Sequence, residues 1–346
     1  MVRPIFAEKV RKHDGKKSDM VVLHISDERP HASGVFSKVY RARLRLPEER
    51  LIAIKKTWST IGHRNSDLHF LRHLSHPHIV QLLYFFHTTL DKNKTCECLV
   101  LEFLPFDLAS VQKATRPQPM DLLDIKMYTW QMFCALGYLC ELGIAHRDVK
   151  PANLLCDPQS GIVKVGDFGS AKRLVRGEKS TCYQVTRYYR APELLFESVY
   201  YTPAIDIWAG ACVLGELMIG NVMLAGRNTD DQTRLIIELF GIPSNEDCIA
   251  MGVARPPFAS RPARGIRNLF PDRTSMDALQ LLESLMRYAP DRRPRGTAIL
   301  NHRFFDDLRA HPPPVRTNGR PLPQVFSADQ SAQSNANEAS STNHRS

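Results

Sequence analysis

The chain has no run of 18 or more apolar residues, and its first twenty, Met1 to Met20, are basic and polar without the apolar stretch of a signal peptide. A helical membrane span is therefore not expected. The expected product is soluble and intracellular, placed in the cytoplasm with the nucleus left open. Paired cysteines are missing too: the eight thiols stand singly in apolar segments, with no CxxC and no disulfide-framework spacing, and so read as reduced. Cys96 and Cys98 form an i, i+2 pair that would merely share one face of a strand, with no second pair to complete a tetrahedral metal site. Nucleic-acid signatures are also absent. The excess of 46 Lys and Arg over 36 Asp and Glu, a formal charge of +10, favours anionic partners without naming one, and no nucleic-acid binding is expected. His69 and His73 have the i, i+4 spacing of a metal pair, but no carboxylate or general base stands at a matching spacing.

What is present is ordinary globular material, 43% apolar and 24% charged over 346 residues, enough for two lobes sharing a core. From about Met20 to Phe103 short β-rich runs recur at Met20 to Leu23, Lys38 to Ala42, Leu51 to Lys55 and Leu99 to Phe103, with a helical stretch from Asp67 to Leu74 between them. Beyond Leu104 the period changes. Apolar residues at 122, 125, 128, 132, 136 and 139 keep a 3.6-residue spacing, predicting a long buried helix that stops near Gly143. Ile205 to Ile219 and Ala278 to Met286 repeat the pattern. The expected fold class is α+β and bilobal: a small antiparallel-sheet N-lobe with one main helix, then a larger, mainly α-helical C-lobe. The boundaries read as a basic N-terminal extension over 1–20, an N-lobe over 21–103, a C-lobe over 104–310 and a tail over 311–346, disordered after about 326 because Ser, Asn, Ala and Gln there have little to bury.

The chemistry is concentrated in His146-Arg147-Asp148-Val149-Lys150-Pro151-Ala152-Asn153, then Asp167-Phe168-Gly169, then Ala191-Pro192-Glu193, all downstream of Ala53-Ile54-Lys55. In that order these resemble the protein-kinase signature set. The resemblance implies phosphoryl transfer from ATP with Mg²⁺, a reaction in which the protein mainly positions reactants and neutralises charge. It assigns Asp148 to the attacking hydroxyl, Lys150 to the γ-phosphate, Lys55 to the α- and β-phosphates, and Asn153 and Asp167 to the metal. Val39, Ala53, Leu101 and Leu155 would line the adenine site, with Glu102 and Leu104 offering backbone groups to the base and Gly34 in the loop over the phosphates. Lysine at 150 implies Ser or Thr acceptors on protein substrates. Glu193 would pair with Arg293, and Asp206 would brace the catalytic loop.

Within the kinases, Asp167 to Glu178, Tyr183 to Phe196, Tyr84-Phe85-Phe86, Phe304 to Arg309 and Asn318 to Pro321 look very like the glycogen synthase kinase 3 (shaggy) family, over about Val21 to Phe326. That likeness makes Tyr183 the activation-loop phosphosite and Arg147 and Lys172 two of three basic residues that hold a phosphate already on the substrate. It also places a scaffold-protein groove near 254–270, here shorter and more basic than usual.

Three departures stand out. The loop pattern Gly-x-Gly-x-x-Gly falls on Ala32-Ser33-Gly34-Val35-Phe36-Ser37, retaining only its middle glycine. Asp67 takes the place of the glutamate partner of Lys55; one methylene shorter, it leaves open an inward-shifted helix, a water-bridged pair, or a plain N-terminal helix acid. Ser66 falls where the third phosphate-binding base is expected, and Arg64 two residues earlier is either a substitute or a solvated surface charge. Two functional readings follow: an active serine/threonine kinase, or a pseudokinase or scaffold that keeps the fold with weak turnover. The retained Lys55, Asp148, Lys150, Asn153 and Asp167 favour the first.

Overall fold

A computed structural model of the chain describes residues 4–10, 19–34, 37–58, 66–91, 94–116, 119–181, 186–257 and 262–326. Six antiparallel strands make the first lobe: β1 (Pro4–Lys9), β2 (Asp19–Ser33), β3 (Ser37–Leu46), β4 (Arg50–Trp58), β5 (Leu82–Asp91) and β6 (Lys94–Glu102). Their order is β1-β2-β3-β4-β6-β5, and β1 closes the ring by pairing Glu8 with Phe85 and Lys9 with Tyr84. Residues 4–9, expected from the sequence to belong to an extension outside the lobe, are thus a strand of its sheet. Pairing both open edges removes the unpaired N–H and C=O groups that an edge strand would present. Alternate residues point into the barrel, where Leu23, Leu44, Ile52, Ile54, Cys96, Cys98 and Val100 pack together. The two cysteines share that inner face, and burial pushes the Cys98 thiol up to about 12.

Helix α1 (Ser66–Leu71) lies between β4 and β5, and the backbone of His78 to Val80 crosses to the second lobe by bonding Val165 on both sides. That lobe begins with β7 (Phe106–Asp107), α2 (Leu108–Thr115) and α3 (Leu122–Glu141). Asp121 caps α3 by accepting from the Leu123 N–H at 2.9 Å, and Gly143, at φ +66, turns the chain away at the other end as its sequence position predicts. Short strands β8 (Ile144–Ala145), β9 (Leu154–Asp157), β10 (Ile162–Val165) and β11 (Lys172–Arg173) carry the loops between them. Helices α4 (Pro192–Leu195), α5 (Ala204–Ile219), α6 (Thr229–Phe240), α7 (Asn245–Met251), α8 (Met276–Leu285) and α9 (Thr297–Leu300) complete the lobe.

Helix α5 is buried along nearly its whole length and packs against α3. Gly210 allows that approach: a Cβ there would sit 2.8 Å from Phe133 Cε1. One apolar cluster runs continuously from Phe70, Leu71, Leu99 and Leu101 through Phe168 to Tyr128, Trp208 and Leu282, so the two lobes share a core across the cleft. Residues up to 326 remain packed: Arg316 is buried against Asp124 at 2.8 Å, and Phe326 meets Trp130 edge-on at 5.0 Å. The segment after 326, expected to be disordered, lies outside the described residues.

Candidate active site

Sheet register builds the upper wall of the cleft. Directly opposed residues share a face, and β3, β4 and β6 align Val39 with Lys55, Lys55 with Leu99, and Ala53 with Leu101. The residues predicted for the adenine site and its lysine therefore lie on one surface. Below it, Leu155 of β9 packs at the floor against Gly166, where a Cβ would come within 3.0 Å of Leu155 Cδ1. Glu102 and Leu104 flank the link between lobes, and the Glu102 N–H is already engaged by Gln81 O at 3.1 Å. The Glu102 side chain has a separate structural role that sequence reasoning missed. It accepts from Lys164 Nζ at 2.8 and 2.9 Å and from the Gln81 N–H at 2.7 Å, tying the link to β10.

Lys55 Nζ stands between two carboxylates, Asp67 Oδ2 at 2.6 Å and Asp167 Oδ1 at 2.7 Å. The water-bridged alternative for Asp67 is therefore corrected to a direct ion pair. Nor is Asp67 a plain surface acid, being 1% exposed. The shorter side chain reaches where α1 packs directly on the Phe168–Ser170 turn; a Cβ at Gly169 would be in ordinary contact with Asp67 Oδ2, at 3.8 Å. Burial works against the Lys55 charge, but Asp67 and Asp167 overcome it and raise its pKa, keeping it an ammonium. Burial likewise favours the neutral acid at Asp167, and the Lys55 ammonium prevails, holding that carboxyl below its usual range. Because the site has closed around aspartate, Asp67→Glu is expected to lower kcat/KM several-fold and to cost about 1–3 kcal/mol by overpacking, read by steady-state kinetics beside thermal melting. A gain in activity would show that α1 has slack.

The catalytic loop is braced from beneath. Asp206 of α5 accepts from the His146 N–H at 2.6 Å and the Arg147 N–H at 3.0 Å, and burial pushes its carboxyl up in spite of them. Those bonds hold Arg147 at φ +65, a strained backbone position for a residue with a Cβ. His146 Nε2 meets Gly166 O at 2.9 Å and its ring meets Phe168 edge-on at 4.9 Å, coupling this loop to the Asp167 turn, where Asp167 also has positive φ.

Above the brace, the Asp148 carboxylate accepts from Lys150 Nζ at 2.7 Å, Asn153 Nδ2 at 2.9 Å and the Thr186 hydroxyl at 2.6 Å. Thr186 is a candidate site residue that sequence reasoning passed over. Its signal was a hydroxyl five residues before Ala191-Pro192-Glu193, but its contact spans 38 residues of chain. Asn153 Nδ2 also donates to Asp148 O at 2.7 Å. That fixes the amide and leaves its oxygen for a hard cation, so Asn153 together with the half-exposed carboxylate of Asp167 fits Mg²⁺.

The two predicted substrate-phosphate bases come to neighbouring points. Arg147 donates to Ser170 O at 2.6 Å and to Tyr201 Oη at 3.3 Å. Tyr201 bonds Thr181 O, while Lys172 Nζ donates to the adjacent Ser180 hydroxyl at 2.8 Å. Tyr183 and Arg64 lie outside the described residues. Gly34 donates to Ser37 O at 2.8 Å, and Ala32 has no positive φ, so alanine in place of glycine costs no backbone strain there. Glu193 and Arg293 form a two-pronged pair at 2.7 Å on each arm. The histidines near α1 are engaged in packing: His76 stacks on Tyr138 and His78 meets Trp130 edge-on, with burial lowering their pKa values to about 4 and about 3.

Comparison with known proteins identifies the family. The protein kinase domain family matches residues 29–305. The putative serine/threonine-protein kinase gskl-1 of Caenorhabditis elegans is 38% identical over 302 residues, covering 85% of this chain and 82% of that protein. Protein kinase gsk3 of Schizosaccharomyces pombe is 35% identical over 336 residues, covering 94% and 87%. With likeness of that extent added to the kinase domain, the chain belongs to the glycogen synthase kinase 3 family and is a serine/threonine protein kinase that uses ATP and Mg²⁺.

Proposed function

We propose that Asp148 is the catalytic base and positioning group for the substrate hydroxyl, with Lys150 beside it for the transferred phosphate, Lys55 for the α- and β-phosphates, and Asn153 and Asp167 for the metal. One observation carries this reading: the Asp148 carboxylate is held by Lys150, Asn153 and Thr186 together, while Lys55 sits directly on both Asp67 and Asp167. Bound Mg²⁺ supplies charge neutralisation across the phosphates. Thr186 and Lys150 fix the direction in which Asp148 presents its free lone pairs to the acceptor hydroxyl, and the positive ends of Lys55 and Lys150 meet the charge that develops on the phosphoryl oxygens. Kinase assay of the wild type beside Asp148→Asn tests the assignment. The pseudokinase reading gains nothing from this geometry.

The substrates favoured by this site are proteins already phosphorylated four residues C-terminal to the acceptor. Arg147 and Lys172, joined through Tyr201, Thr181 and Ser180, support that preference. Ser66, at the start of α1, removes one charge-assisted contact of about 1.5–3 kcal/mol when sheltered. Primed peptides are therefore expected to be preferred, by a smaller ratio of kcat/KM than a Ser66→Arg variant shows; an unchanged ratio would mean that the position does not face the phosphate. A scaffold protein at 254–270 is a further expectation, supported by a recess of about 750 Å³ between Ala254 to Pro257 and the start of α6. Residues 258–261 of that segment lie outside the described residues. The working compartment proposed is the cytoplasm, with the nucleus as a second, to be read by cell fractionation.

A further inference from the structure

A second recess, of about 680 Å³, lies among the end of α2, the first turn of α3, the last turn of α5 and residues 271–275 leading into α8. Its size is that of an ordinary ligand site. Met120, Ile125, Met218 and Ile219 make its floor, joined by Leu122, which is 42% exposed at the start of a helix otherwise largely buried. Charge at the rim has one sign. None of the thirteen described residues lining the recess is acidic, and two are arginines, Arg116 and Arg273. Arg116, just past the end of α2, donates to Gly220 O at 2.9 Å and to Asn221 Oδ1 at 3.0 Å, where Gly220, at φ +84, ends α5. Those neutral oxygens hold the guanidinium at the opening and leave its charge uncancelled. Arg273 is exposed and makes no hydrogen bond or ion pair among the described residues. Of the acids close by in sequence, Asp121 caps α3, Asp277 pairs with Arg303, and Asp272 is outside the lining.

We infer that this recess binds a fatty carboxylate, with the acyl chain on the floor and the carboxylate at the arginine rim. An apolar floor under a rim of one charge asks for a molecule with both parts. A small phosphate would leave the floor uncovered, and a neutral hydrocarbon would leave both guanidinium groups without an anion. No aromatic side chain among the described residues lines the recess, so nothing there stacks a nucleotide base. The two methionines of the floor are unbranched and adjust to a flexible chain. None of the lining belongs to the residues proposed for the nucleotide, the metal, the transferred phosphate or the substrate phosphate, so the site stands apart from the kinase reaction.

The test uses the full chain in isothermal titration calorimetry with the sodium salts of octanoate, decanoate and laurate, each below its micelle concentration. One saturable site is expected, with affinity rising about fourfold for each methylene added. Dodecyltrimethylammonium chloride, with the same chain length as laurate and the opposite charge, should bind at least about tenfold more weakly. Arg273→Ala should weaken laurate by about tenfold or more, and Arg273→Lys, which keeps the charge, should recover most of that loss. Met218→Trp, which fills the floor, should abolish laurate binding in protein that still melts as a folded chain. Arg273 is exposed, so its variants test the site even if the tryptophan disturbs the fold. Wild-type laurate affinity in Arg273→Ala, equal binding of the cationic chain, or no saturable binding to wild type would each overturn the site.

Discussion

Asp148→Asn, assayed with Mg-ATP and a peptide acceptor, is expected to transfer phosphate at least about 10²-fold more slowly than wild type, while its melting temperature barely moves. Asparagine keeps the shape of the side chain and can still accept from Lys150 or Thr186 through its remaining oxygen, so the surrounding bonds at 2.7, 2.9 and 2.6 Å lose one partner without losing the packing. What it loses is the charge that draws the hydroxyl proton. Asp167→Asn should show a loss of similar size for a different reason: it removes one of the oxygens proposed for the metal and half of the charge that surrounds Lys55. The two are separable by raising Mg²⁺, which should partly rescue Asp167→Asn and leave Asp148→Asn unchanged. Wild-type rates in either variant would sink the corresponding role.

Arg293→Met is expected to destabilise the fold by about 3–5 kcal/mol, measured by denaturant melts, without any direct effect on the chemistry of the protein that remains folded. Both side chains of the Glu193–Arg293 pair are wholly buried. Removing the guanidinium leaves the Glu193 carboxylate without its partner, and it also takes a donor from the carbonyls of Arg287, Ala204 and Tyr288 and strips the cation from the Trp208 ring. Glu193→Gln should cost less, because Arg293 keeps those carbonyls and the amide oxygen can still accept. Equal losses in the two variants would mean that the ion pair alone, rather than the hub around Arg293, carries the stability. The pair ties α4, just after the activation segment, to the start of α5 and the Pro290–Arg292 turn, so a protein weakened there is also expected to lose order first around residues 186–198.

Much of the fold and of the site is legible in the order of the residues. Helices α3 and α5 announce themselves because a helix buried on a broad face must repeat its apolar residues every 3.6 positions, and the stop at Gly143 is local chemistry. The carboxylates proposed for catalysis stand out because phosphoryl transfer demands a base and metal ligands at fixed spacings, here Asp148 and Asn153 before β9 and Asp167 after β10. Thr186 does not, since a threonine is unremarkable until the fold brings it onto Asp148. Strand β1 looks like part of a basic extension: six residues with two open edges waiting elsewhere carry no local sign of their pairing. The Asp67 pair is undecided by residue type for the same reason, because side-chain length says nothing of how closely α1 docks.

Residue type and short-range order suffice for the periodic elements, for the chemical groups available for transfer and for the family. The direct Lys55–Asp67–Asp167 contact, the closing of the barrel by β1 and the side-chain clamp of Glu102 on Lys164 exist only in the folded chain. Each of these joins groups separated in the chain, at distances set by how packed elements settle against one another, and dense packing admits a single answer that no local pattern encodes.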